Sequence, residues 1–141
     1  MIPKKSTKPR RPKLSTMQDK ADKLMSLYIR QKYAYNGMVK CVSCGKILHW
    51  KDSDCGHFVP KSKGAAVRYV EENVHPECQS CNRFDEGHLI EYTRFMIDFY
   101  GNRKIDELKS EARKMLSPKQ KREMVEDAIE YYGTRLKDME L

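Results

Sequence analysis

"CVSCG" at residues 41–45 and "CQSCN" at residues 78–82 decide how this chain folds. Each carries two cysteines separated by two residues, a spacing that lets both sulfurs reach one ion from a tight knuckle. The chain has five cysteines, an odd number, and four of them fall into these two pairs. In a reducing compartment that pattern points to metal rather than disulfides. Four thiolates from Cys41, Cys44, Cys78 and Cys81 form the donor set that structural zinc prefers. Unpaired core cysteines or an iron–sulfur centre are the alternatives. The pairs lie 33 residues apart, long for a zinc ribbon and enough for an inserted hairpin.

Working outward, residues 38–83 show no long helical pattern. Their apolar residues are too sparse to hold a domain without help, so the ion should supply much of the folding energy. On the N-terminal side, residues 16–34 place Met17, Ala21, Leu24, Tyr28 and Leu27 on one stripe at helical spacing. Ser15 or Thr16 can cap that amphipathic helix, and Asn36-Gly37 ends it. Lys20, Lys23, Arg30 and Lys32 are expected on its outer face. On the C-terminal side, Leu89, Tyr92, Phe95, Met96 and Phe99 form a helical face closed by Gly101. A shorter helix with Ile105, Leu108, Ala112 and Met115 should follow. Ser117-Pro118 then opens a last helix, in which Gly133 is an unfavourable residue.

The net charge is +8, but it is not spread evenly. Residues 1–40 hold 11 Lys/Arg against 2 Asp/Glu, and the rest of the chain is close to neutral. "KKSTKPRRPK" at 4–13, with Lys4, Lys5, Lys8, Arg10, Arg11 and Lys13, reads as a disordered basic arm suited to phosphate neutralisation. A solubilising tail is the plainer reading. No stretch approaches 18 apolar residues and no signal-peptide pattern opens the chain, so a cytoplasmic protein with no membrane partner is expected. The expected parts are a basic arm at 1–14, a helix at 15–36, a zinc-containing core at 38–100 and a helical extension at 101–141. The fold class is α+β.

The inserted segment carries the chemistry. With its flanking knuckles it resembles the HNH, or ββα-metal, nuclease family, through Cys41-x-x-Cys44, His57, Pro60, Gly64, Asn73 and Cys78-x-x-Cys81-Asn82 in that order. A neutral histidine can accept the proton of an attacking water, so His57 is the expected general base. The resemblance implies that Asn82 is a ligand of a catalytic Mg²⁺ or Mn²⁺ and starts the helix crossing the hairpin. Many family members place an acid directly before the catalytic histidine, and Gly56 stands there in this chain. Asp54, on the same strand face, is expected to use the space that Gly56 leaves. Asp52, Glu86 or a ligand from DNA remain alternatives.

Other polar residues have quieter expectations. His75 either orients a ligand or is a hydrogen-bonded strand histidine, Cys55 is a small buried thiol, and His49 and His88 are surface residues. Asn73 should tie the loop to the second strand, and Trp50 should pack. Lys61, Lys63 and Arg68 form a basic loop for phosphate contact.

"DCGHF" at 54–58, "RYVEENVHPECQSCN" at 68–82, "GHLIEY" at 87–92, "IDEL" at 105–108 and "RLKDM" at 135–139 narrow the resemblance. The chain is similar to the NinG (Rap) family of recombination endonucleases of lambdoid phages over roughly residues 12–140. That implies cleavage of branched DNA, including Holliday junctions and D-loops, in a bacterial host. After Asn82 the acidic "RFDEG" adds Asp85 and Glu86 as possible ligands. Paired cuts would need a homodimer, for which the apolar stripes of 118–139 or 16–34 could serve. A less selective HNH endonuclease and a non-catalytic zinc module that binds nucleic acid are the rival readings.

Overall fold

The computed structural model describes residues 11–84 and 89–140. Lys4, Lys5, Lys8 and Arg10 of the expected arm, and Asp85, Glu86 and His88, lie outside the described residues. The elements run α1 (Leu14–Lys32), β1 (Met38–Lys40), β2 (Ile47–His49), β3 (Asp54–His57), β4 (Val74–Glu77), α2 (Gln79–Phe84), α3 (Leu89–Tyr100), α4 (Asn102–Ala112) and α5 (Pro118–Met139). The architecture is α+β, with helices at both ends. No helix among the described residues is long and apolar enough to cross a membrane.

Two antiparallel hairpins form the middle of the chain. In the first, β1 pairs with β2 through Met38↔His49, Val39↔Leu48 and Lys40↔Ile47, and the first cysteine knuckle is its turn. Gly45 takes φ +80° there, a left-handed conformation that favours glycine. In the second, β3 pairs with β4 through Asp54↔Glu77, Cys55↔Pro76, Gly56↔His75 and His57↔Val74. Residues 58–73 connect these strands without pairing, and Asn73 holds them. Its Nδ2 donates to the Val59 and Val67 carbonyls at 3.1 and 3.2 Å, and its Oδ1 accepts from Val59 N–H at 2.8 Å. The Val42 amide donates to the Pro76 carbonyl at 3.1 Å, joining the hairpins.

Helices cover the second hairpin. α1 and α5 bury Ala21, Met25, Ile29, Val125, Ala128 and Tyr132 together with Tyr69 and Val74. α3 and α4 bury Tyr92, Met96, Ile105 and Leu108 with Phe58 and Val67. The apolar stripes of 16–34 and 118–139 therefore pack against each other within one chain.

Local expectations met mixed outcomes. α1 starts at Leu14 with Lys13 as its cap and no side-chain cap bond, rather than on Ser15 or Thr16. Its buried stripe is centred on Ala21, Met25 and Ile29, so packing selects a line rotated from Met17, Leu24 and Tyr28, which are only partly buried. Leu89 and Phe99 are exposed, and Met115 lies past the end of α4 and is 93% exposed. Ser117 forms a full capping box with Gln120, and α5 runs unbroken through Gly133.

Candidate active and metal-binding site

The four knuckle sulfurs converge. The Sγ atoms of Cys41, Cys44, Cys78 and Cys81 all lie within 4.8 Å of one another. Cys44 Sγ and Cys78 Sγ are 3.8 Å apart. A tetrahedral ion with Zn–S bonds of about 2.3 Å would hold sulfurs roughly 3.8 Å apart, so the donor set and its spacing fit zinc. Among the described residues, only Leu48 packs into the cluster besides these cysteines, too little apolar surface to hold the knuckles together unaided.

The cysteine knuckles set the second hairpin beside α2. Asn82 is the fourth residue of that helix rather than its first, because the helix begins directly after Cys78. Its Nδ2 donates to Asp54 Oδ2 at 3.0 Å, which brings together the two expected ligands of the catalytic ion. Arg83 grips the same carboxylate, Nε to Oδ2 at 2.9 Å and Nη2 to Oδ1 at 3.0 Å. Any ion bound by Asp54 would therefore have to share or displace this guanidinium.

From the sequence, Asp54 is expected in the space above Gly56, but Glu77 occupies it. A Cβ built there would overlap Glu77 Oε1. The buried Glu77 carboxylate fills that position and accepts from Ser43 Oγ at 2.7 Å, tying β4 to the first knuckle. Asp54 instead turns toward α2.

At the end of β3, His57 Nε2 lies 2.9 Å from the Arg68 carbonyl. A carbonyl can only accept, so Nε2 carries the proton and the Nδ1 lone pair is left to accept one. Burial pushes the His57 pKa down to about 4; the bond to Arg68 opposes the shift and Lys61 adds to it. The imidazole is thus neutral at physiological pH.

Asp54, His57 and Asn82 line one polar cleft of about 510 Å³. Asp52, the alternative ligand, is exposed and does not line it.

A model of the family described as the bacteriophage lambda NinG protein matches residues 2–141. The chain belongs to this family. It is similar to Protein ninG of Salmonella phage P22, 28% identical over 93 residues, which cover 64% of this chain and 43% of that protein. Protein ninG of Escherichia phage lambda is 29% identical over 92 residues, covering 64% of this chain and 42% of its own length. The corresponding protein of Escherichia phage 933W is 29% identical, with coverages of 64% and 43%. The match thus spans less than half the length of these curated relatives. No solved structure matches the chain.

In this NinG-family chain, the cleft also holds residues that the cysteine and histidine motifs do not announce. Asp22, Ser26 and Arg30 of α1 line one wall, and Lys51, Lys61 and Arg83 add positive charge. The spacing of four between Asp22, Ser26 and Arg30 was the available signal, a polar line flanking the apolar stripe. Arg30 does not point freely outward: its Nη1 donates to the Trp50 and Ser53 carbonyls at 3.3 Å, and its guanidinium lies 5.4 Å from the Trp50 ring. Arg68 is committed as well, with Nη2 2.6 Å and Nε 3.1 Å from the Asp22 carboxylate. Arg11, Lys13, Lys20, Lys23, Lys61 and Lys63 are exposed.

His75 is wholly buried and does not face the ion sites. Tyr92 O–H donates to the Gly56 carbonyl at 2.8 Å, so the Tyr92 oxygen accepts from His75 Nδ1–H at 2.9 Å. Nε2 of the neutral ring must then accept from Tyr100 O–H at 2.8 Å. This chain of bonds supports the peptide just before His57 and settles His75 as a hydrogen-bonded strand histidine. Burial pushes the Cys55 thiol up to about 12, which keeps it protonated and unreactive.

Proposed function

We propose that the chain is a metal-dependent DNA endonuclease that hydrolyses phosphodiesters in branched DNA during phage recombination. One observation supports the reading: the neutral His57 imidazole, whose Nδ1 has no partner among the described residues, and the oxygen-bearing side chains of Asp54 and Asn82 line the same cationic cleft. The zinc-stapled hairpin and α2 would constitute the ββα-metal core, with Cys41, Cys44, Cys78 and Cys81 holding the structural zinc.

Lys61, Lys51, Arg30 and Arg83 draw a phosphate backbone to the cleft, with little regard to sequence. The exposed basic residues of α1, Lys20 and Lys23, together with Arg11, Lys13 and the residues before them, extend this attraction along the DNA. His57 Nδ1 takes a proton from the attacking water, while the Arg68 carbonyl keeps Nε2–H in place. An arriving phosphate raises the His57 pKa toward neutrality, because an adjacent anion favours the imidazolium. Asp54 and Asn82 would hold Mg²⁺ or Mn²⁺, with water and phosphate oxygens filling the remaining positions. Such an ion supplies neutralisation of charge on the phosphoryl and leaving oxygens. The fit is conditional on Arg83 releasing Asp54. Transfer of that guanidinium to a DNA phosphate is the simplest exchange.

The Arg83–Asp54 pair also favours a second reading, a zinc module that binds DNA without cutting it. The experiment offers labelled four-way junction, flap and linear duplex to the zinc-loaded protein, with Mg²⁺, Mn²⁺ or EDTA. Ion-dependent nicking that is fastest on the junction and lost in Asp54→Ala supports the proposal. Equal cutting of all three substrates points to a less selective endonuclease. Tight binding without cleavage in either ion supports the binding module.

A further inference from the structure

Asp22 lies outside the hairpins and α2, on a helix that the catalytic motifs do not include. Its carboxylate nevertheless forms a two-pronged ion pair beside the cleft. Arg68 approaches it with two nitrogens, at 2.6 and 3.1 Å, and Lys61 Nζ stands 3.8 Å away. Only 18% of the Arg68 side chain and 24% of the Asp22 side chain are exposed. A two-pronged pair at that depth fixes geometry in a way that surface pairs do not.

Residue 68 is also the one whose carbonyl holds His57 Nε2–H at 2.9 Å. It lies in the unpaired connection 58–73, just after the short turn Ala65–Val67. Val67 and Tyr69 anchor that stretch in two different apolar clusters. They fix where residue 68 sits, its N–H donates to the Ala65 carbonyl at 3.3 Å, and its side chain adds a further hold through Asp22. The Arg68 guanidinium is held between the Asp22 carboxylate and the Tyr69 ring, 5.4 Å away.

We propose that Asp22 is a positioning residue for His57, acting through the Arg68 side chain on the carbonyl that holds the imidazole. The inference rests on the nuclease reading above, in which His57 is the base. It makes α1 a working part of the active centre rather than a docking helix. Asp22 also neutralises two cations beside the imidazole, so its loss would both free the carbonyl and leave Arg68 and Lys61 competing for the phosphate. A displacement of about 1 Å at a reacting group can cost roughly 100-fold in rate.

The test uses the full zinc-loaded chain as wild type, Asp22→Asn, Arg68→Gln and the double variant. Three quantities are read: single-turnover cleavage of a four-way junction in Mn²⁺, the Kd for that junction, and the imidazole ¹⁵N signals of His57. In wild type one His57 nitrogen should be protonated and the other bare. In Asp22→Asn the two signals should move toward the average of exchanging tautomers, the cleavage rate should fall 10- to 100-fold, and Kd should stay within about threefold. Coupling through one clamp predicts that the double variant is no slower than the slower single variant. Arg68→Gln cuts the clamp from its other end, so the test survives if Asp22→Asn fails to fold. An unchanged tautomer signal with a wild-type rate, or a loss confined to Kd, would overturn the proposal. Wild-type protein that never cleaves would overturn the nuclease reading instead, and the ¹⁵N signals would still decide whether Asp22 holds His57.

Discussion

His75 depends on remaining neutral. Protonated, its Nε2 could no longer accept from Tyr100, and a charge would sit in a fully buried ring. Burial accordingly pushes its pKa down to about 3. The folded value lies below that of an exposed histidine, so the folded state binds fewer protons, and stability falls as pH drops from about 6.5 toward 3. The slope from this one group is about 1.4 kcal/mol per pH unit. Urea unfolding between pH 7 and 5 should show it, and His75→Phe should flatten the slope while lowering stability at pH 7. An unchanged slope in His75→Phe would remove His75 from that role. Gly56 makes a second prediction at this scale. Gly56→Ala forces the buried Glu77 carboxylate aside and should cost about 1–3 kcal/mol, as overpacking does. Urea midpoints equal to wild type would show that Glu77 yields freely. The four cysteines were legible in the sequence because their chemistry is local and their spacing fixed. Glu77 was not, because its side chain reaches over Gly56 from the position paired with Asp54, and only strand register reveals that.

Hairpins and helices differ in what holds them. The connection 58–73 has no strand partner, and Asn73 substitutes for one with three hydrogen bonds inside the fold. Asn73→Ala should therefore cost about 2–4 kcal/mol, at roughly 1 kcal/mol per bond lost plus the polar groups left unpaired. Cleavage should fall with it, since the same connection carries Arg68. Hydrogen exchange at Phe58 and Val59 reads this directly, and full protection in the variant would contradict it. At α5, Ser117→Ala removes one half of a capping box and should cost only about 1 kcal/mol, measured as a shift in Tm. The Ser117-Pro118 start was readable because capping is set by neighbouring residues. The buried line of α1 was not, because α5, distant in sequence, selects which of several apolar lines turns inward. The same rotation aims Asp22, Ser26 and Arg30 at the cleft, so a helix expected to pack on the domain with a basic face outward is also a wall of the site.

Across the whole molecule the two kinds of stability should separate. The helices have apolar clusters of their own, whereas the knuckles, among the described residues, have four sulfurs, Leu48 and a few hydrogen bonds to β4. Stripping the ion should leave much of the helical circular dichroism while hydrogen-exchange protection disappears from 38–57 and 74–84. Retention of that protection after complete metal removal would show that zinc is not what joins the hairpins to α2. The α+β class, the order of the elements and the four-cysteine cluster were all readable in the sequence, since they follow from local periodicity and spacing. The cleft was not, because three of its walls come from segments far apart in the chain. The central claim is that zinc-held hairpin and helix place a free imidazole nitrogen against a phosphate. The most direct measurement is single-turnover cleavage of a four-way junction by His57→Ala, at matched zinc content and matched DNA occupancy. The account predicts a rate at least about 100-fold below wild type, the usual scale for a positioned base, with binding unchanged. A folded, zinc-loaded His57→Ala that cuts at the wild-type rate would contradict it.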